Sequence, residues 1–201
     1  MLTPLEGPTA RVPTDDFLLA LPKAELHVHL DGSLRPTTMA ELARKRRVEL
    51  PTHDPEALGR HMLVSDAHSL EEYLARFVLT LAVMQDVEAL ERIAYELTED
   101  HARENVRYLE ARFCPALNTQ GGLASHEVLD AVLAGLARGE RDFPIRTRVI
   151  VCALRTLAPL VSVEMAALAV AYRDRGVVAF DLAGAEAGNP VEEHLEAFDG
   201  M

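Results

Sequence analysis

Residues Arg148-Val-Ile-Val-Cys-Ala-Leu154 run almost without interruption through apolar side chains. A strand with one face in water alternates; a continuous apolar run of this length marks a parallel strand covered on both faces. Parallel neighbours cannot be joined by a hairpin and need a crossover of a dozen residues or more, usually a helix. The surrounding chain supplies such crossovers. Val106–Phe113 reads as a strand closed by Cys114-Pro115, and Ser125 caps a helix that turns Val128, Leu129, Val132, Leu133 and Leu136 inward and ends at Gly139. After the Arg148–Leu154 strand, Ser162 caps a helix that runs to Arg175 and stops at Gly176. Val177–Asp181 is the next strand, and Asn189-Pro190 opens a final helix carrying Leu195 and Phe198. Strand and helix alternate, so the expected fold class is parallel α/β with right-handed crossovers.

The stretch Glu25-Leu26-His27-Val28-His29-Leu30-Asp31-Gly32 behaves differently. As a strand it alternates, with Leu26, Val28 and Leu30 on one face and His27, His29 and Asp31 on the other. Two imidazoles and a carboxylate in a row can offer two nitrogens to one metal ion beside a hydrogen-bonding acid. Asp31-Gly-Ser-Leu-Arg-Pro36 then leads through a loop into a helix, the strand edge at which α/β proteins bind ligands. From Pro36, Met39, Leu42 and Ala43 keep helical spacing to about Arg46. Val48–Val64, with Pro51, His53, Asp54, Pro55 and Gly59, is expected to be a loop holding at most short helical turns. Ser69-Leu-Glu-Glu72 is a capping box ahead of the stripe Tyr73, Leu74, Phe77, Val78 and Leu81. Asp86 caps a further helix with Leu90, Ile93, Ala94, Leu97 and His101 on one face, His101 packed or half-exposed. The span from Asp31 to Val106 therefore holds a helical insertion of about three helices after the first strand. Residues 1–20 are an irregular lead-in as far as Phe17, and residues 1–201 read as one domain.

Composition excludes several functions. With 20 basic and 32 acidic residues the net charge is −12, which opposes nucleic-acid binding. The Arg44-Lys45-Arg46-Arg47 cluster suits a helix C-terminus and not a phosphate site. No apolar run reaches membrane-spanning length, and the N-terminus has no signal-peptide pattern. Cys114 and Cys152 lie in or beside buried strands without CxxC spacing and read as reduced thiols, consistent with a cytoplasmic location.

LPKAELHVHLDGSLRP (residues 21–36) resembles the opening signature of the adenosine deaminase family, within the metal-dependent amidohydrolases. Further along, Asp181-Leu-Ala-Gly184-x-Glu186 is similar to the family's DLAG-x-E segment. Arg112-Phe113-Cys114-Pro115 is similar to its Arg-Tyr-Ser-Pro, with two substitutions. Tyr73-Leu74-x-x-Phe77 resembles the helix that forms an apolar lid over the nucleoside. The resemblance runs from Leu21 to Phe198 and implies a (β/α)8 TIM barrel of which about the first four strands are present. It implies zinc-dependent hydrolytic deamination of adenosine and deoxyadenosine to inosine and ammonia. His27 and His29 would be zinc ligands, with His29 and Asp31 also meeting substrate, Asp31 at the ribose. Gly184 would meet the purine through its backbone. Relatives acting on free adenine tend to carry Glu at the position of Asp31, so Asp favours a nucleoside. Ala185 departs from the family's Asp.

The family takes its general acid from a His-Ala-Gly-Glu segment on a fifth strand, with further metal ligands beyond. None of the eight histidines here precedes Ala-Gly-Glu, and His194, on a Glu-rich final helix, reads as a surface residue. No catalytic acid is therefore expected within the chain, and a barrel of this type needs about 250 residues. The expectation is an N-terminal half, inactive alone, whose open strand edges favour self-association or pairing with a C-terminal half. Deamination of another purine or a modified nucleoside, or a non-catalytic half chain that binds a partner, are the alternatives.

Overall fold

In the computed structural model, which describes residues 12–63, 69, 72, 74 and 76–199, four strands form one parallel sheet. They are β1 (Lys23–His29), β2 (Val106–Phe113), β3 (Arg146–Leu154) and β4 (Val177–Ala183), adjacent in sequence order. Each crossover thus returns to the neighbouring strand, the winding expected of parallel α/β. The apolar runs earn their burial: Leu109, Ala111, Val149, Val151 and Ala153 are all sealed from solvent. β1 departs from strict alternation. Glu25 pairs with Leu109 but Val28 with Ala111, so β1 carries one extra residue, a bulge at Leu26-His27. On this edge strand Leu30 is fully buried, Val28 half-buried, and Leu26, expected beside them, is 57% exposed.

Helices cover the sheet. α1 (Asp15–Ala20) corrects the expected irregular lead-in: the Thr14 hydroxyl accepts the Phe17 N–H at 3.3 Å and starts a short helix. α2 (Pro36–Arg46) begins at its proline as expected and ends on Arg47 in the left-handed region. α3 (Pro55–Met62) replaces the expected loop, because Asp54 accepts the Ala57 N–H at 2.8 Å and Pro55 sits at the first helical position. The Ser69 hydroxyl accepts the Glu72 N–H at 3.2 Å, half of the expected capping box, ahead of α4 (Phe77–Val83). α5 (Val87–Arg103) is capped by Asp86, which accepts the Ala89 N–H at 2.9 Å.

Two expected caps move. In α6 (Ser125–Asp142) the cap is Ala124, whose N–H donates to Glu127 Oε2 at 2.8 Å, and Ser125 is already helical. α7 (Pro159–Ala171) starts at its proline, which puts Ser162 inside the helix, and the α-helix ends before a short 3₁₀ turn at Arg173–Arg175. Gly139 does not end α6. It lies where α6 crosses α5 so closely that a Cβ would sit 2.5 Å from Thr98 Cγ2; at Gly135 one would sit 2.2 Å from the Glu91 carbonyl oxygen. The last segment is a 3₁₀ turn (Val191–His194) followed by α8 (Glu196–Asp199) in place of one helix. Among the described residues no helix is long and apolar enough to cross a membrane.

Candidate active site

The C-terminal ends of all four strands open on one cavity of about 630 Å³. His29 and Asp31 enter it from the end of β1, Arg112 and Cys114 from β2, Cys152 and Arg155 from β3, Asp181 and Gly184 from β4. Leu74, Phe77, Val78 and Leu81 line its apolar side. Residues far apart in sequence are gathered here because parallel strands all end at the same edge. Of the expected site residues, His29, Asp31, Gly184, Leu74 and Phe77 line the cavity. His27 stands beside it, exposed, with its ring centroid 5.5 Å from that of His29. The Phe77 ring lies 5.7 Å from His29. Tyr73 lies outside the described residues.

Arg112 organises the polar wall, a role its place at a strand end did not disclose. Its guanidinium is nearly buried and donates from Nη1 to His29 Nε2 at 2.7 Å and from Nη2 to Asp181 Oδ2 at 2.5 Å. An arginine can only donate, so Nε2 of His29 is the acceptor and Nδ1 carries the proton in the neutral ring. That Nδ1 faces Asp31 Oδ1 at 3.6 Å, beyond hydrogen-bond reach. Asp31 Oδ1 and Arg112 Nε are both buried without a hydrogen-bond partner. A buried carboxylate oxygen left unpaired at a cavity wall is a group waiting for a donor from a ligand. Burial pushes the Cys114 thiol up to about 11 and the Cys152 thiol higher still, so both are protonated wall groups and poor nucleophiles.

Gly184 turns the chain with φ +100°, and Arg155 packs against it, donating its backbone N–H to the Ala183 carbonyl at 2.8 Å. The Arg155 guanidinium reaches Glu186 Oε1 and the Asn189 carbonyl, both at 3.4 Å. His194, expected at the surface, is 1% exposed. Ser162 Oγ is 2.7 Å from its Nδ1 and the Arg155 carbonyl 3.2 Å from its Nε2. Its neighbours in sequence are acidic and solvated, and only the fold brings Ser162 and Arg155 to it.

Two imidazoles sharing one tetrahedral zinc stand with ring centroids roughly 5 Å apart, and His27 and His29 meet that spacing. The set is partial, however. Arg112 holds the Nε2 lone pair of His29, and no group of three His, Cys, Asp or Glu among the described residues could hold a metal. A catalytic zinc uses three protein ligands. With Nε2 held by Arg112 and Nδ1 protonated, His29 offers no free lone pair in this structure.

The family model described as Adenosine deaminase matches residues 22–201. The adenosine deaminase of Mycobacterium avium is 50% identical over 187 residues, covering 90% of this chain and 50% of that protein. Among solved structures, Arabidopsis ADAL complexed with IMP is 31% identical with a TM-score of 0.76, covering 92% of this chain and 56% of that one. An amidohydrolase from Burkholderia ambifaria with bound Zn is 27% identical with a TM-score of 0.77, covering 96% and 53%. The chain spans about half the length of each of these proteins.

Proposed function

The chain belongs to the adenosine deaminase family, and from that premise we propose that it is the nucleoside-binding N-terminal part of a zinc-dependent, cytoplasmic adenosine deaminase barrel. The observation that carries this is the meeting of His29, Asp31 and Gly184 around one cavity, with His27 beside it. In this reading Asp31 accepts a ribose hydroxyl through the oxygen that lacks a partner, and the Gly184 backbone meets the purine edge. Leu74 and Phe77 exclude water from the base, with Tyr73 as the third lid residue. His27 and His29 would hold zinc by two nitrogens, Arg112 yielding the His29 lone pair to it. Zinc, when bound, would supply Lewis acidity for hydrolysis. Deoxyadenosine fits the same reading, since no contact named here needs the 2′-hydroxyl.

Among the described residues β1 pairs only with β2 and β4 only with β3, which favours a second reading. The chain would bind substrate but catalyse nothing until another α/β segment, from a second copy or a separate C-terminal half, completes the site. One experiment tests both readings. The purified chain, loaded with zinc, is given adenosine, and both binding and ammonia release are followed. Binding without ammonia release is expected. Ammonia release that His27→Ala and His29→Ala abolish would make the chain an enzyme by itself, and failure to bind adenosine would remove the nucleoside assignment.

A further inference from the structure

One buried imidazole joins three parts of the chain at the cavity's rear. The Arg155 carbonyl can only accept, so Nε2 of His194 carries a proton, and in the neutral ring Nδ1 accepts from the Ser162 hydroxyl. Both nitrogens are thereby satisfied inside the protein, and Ser162 is itself fully buried. What this ring holds gives it its importance. The Arg155 backbone is held on both sides of its α-carbon: its carbonyl by His194 at 3.2 Å, its N–H by the Ala183 carbonyl at 2.8 Å. Gly184 follows Ala183 directly, and a Cβ there would lie in ordinary contact with the Arg155 nitrogen at 3.6 Å. The Ala183 carbonyl and the Gly184 nitrogen share one planar peptide, so a shift of the Arg155 N–H carries the Gly184 backbone with it. Aligning groups to within a fraction of an ångström is what a binding edge built from backbone atoms requires.

We infer that His194 is a positioning residue for the purine edge of the cavity, setting the Gly184 backbone through the Arg155 carbonyl. The inference rests on the reading of Gly184 as a purine contact and goes beyond it. Two substitutions test it. In His194→Gln the side-chain amide nitrogen reaches the place of Nε2, whereas in His194→Asn the amide stops near Nδ1 and leaves the Arg155 carbonyl. Both lose the ring's packing, so a merely structural role lowers Tm in both and leaves their affinities equal. Positioning predicts that His194→Asn weakens inosine binding about tenfold, the worth of one hydrogen bond. It also predicts faster hydrogen exchange at the Arg155 amide in His194→Asn, with His194→Gln near wild type in both measurements. Should His194→Asn not fold, Ser162→Ala, which frees the ring from its other side, takes its place in the same comparison. Equal inosine affinities, or an Arg155 amide equally protected in every variant, would overturn the inference. If the wild-type chain binds no inosine, the purine reading fails by itself. The Arg155 amide then decides alone: faster exchange in His194→Asn than in His194→Gln supports the clamp, and equal exchange overturns it.

Discussion

The two ends of the sheet handle polar groups in opposite ways. At the N-terminal end, Lys23 Nζ donates to the carbonyls of Leu19, Leu21 and Glu104 at 3.3, 3.1 and 2.7 Å. Glu140 there accepts the Thr147 N–H at 2.6 Å and its hydroxyl at 2.9 Å. At the C-terminal end a buried carboxylate oxygen of Asp31 and the buried Nε of Arg112 have no partner. Leaving such groups unpaired costs about 1–3 kcal/mol each. Of the three such atoms among the described residues, two stand at this end, where barrel enzymes bind and react, and the third, Arg46 Nη1, lies at the C-terminus of α2. One end is built to hold; the other is built to receive.

Substitutions should therefore separate into stability effects at the holding end and binding effects at the receiving end. The largest is expected at Gly139, near the C-terminus of α6, where the helix packs on Thr98. Overpacking of about 3 kcal/mol outweighs the ~1 kcal/mol that alanine gains over glycine inside a helix. Gly139→Ala should thus lose about 2 kcal/mol in urea unfolding while the affinity of the folded fraction for adenosine stays unchanged. An unaltered unfolding midpoint would mean that the two helices can part at little cost. Asp31→Ala should do the reverse. Adenosine binding weakens roughly tenfold, as for the loss of one hydrogen bond to a carboxylate, and Tm holds or rises because an unpaired buried oxygen has gone. A clear fall in Tm with affinity intact would erase the contrast between the ends.

The holding parts of the molecule are also those most legible from sequence. Strands such as Val149–Leu154 declare themselves because burial on both faces is written in consecutive residues. Caps are legible where the side chain is the cap, as at Asp86, and misleading where a nearby serine is not: at Ser125 and Ser162 the preceding alanine and Pro159 set the start instead. Gly139 looked like a terminator because its cause, the surface of Thr98, belongs to another helix. The receiving end was legible in its members, His29, Asp31 and Gly184, but not in its connections. The Arg112 bridge joins residues 83 and 69 positions away in sequence, and His194 is buried by partners 32 and 39 positions away. No local pattern carries such distances.

The smallest effect belongs to Glu140 and fixes how much the holding end gains from charge. Burial alone would raise its carboxyl, but the Thr147 N–H and hydroxyl and the Arg146 guanidinium hold it below the ordinary glutamate range. A carboxyl whose folded value lies below its unfolded one, ~4.3, stabilises fully above that unfolded value. The contribution disappears as pH falls through the folded value, where both states bind the proton equally. Glu140→Gln keeps an oxygen for the Thr147 N–H and removes the charge together with the acceptor that Arg146 uses, so it should cost about 1 kcal/mol at neutral pH. The gap between the two proteins should close in urea unfolding carried out below about pH 4. A gap that persists unchanged into acid would show that Glu140 acts through shape, and that charge contributes little even at the end of the sheet where Lys23 and Glu140 are hydrogen-bonded.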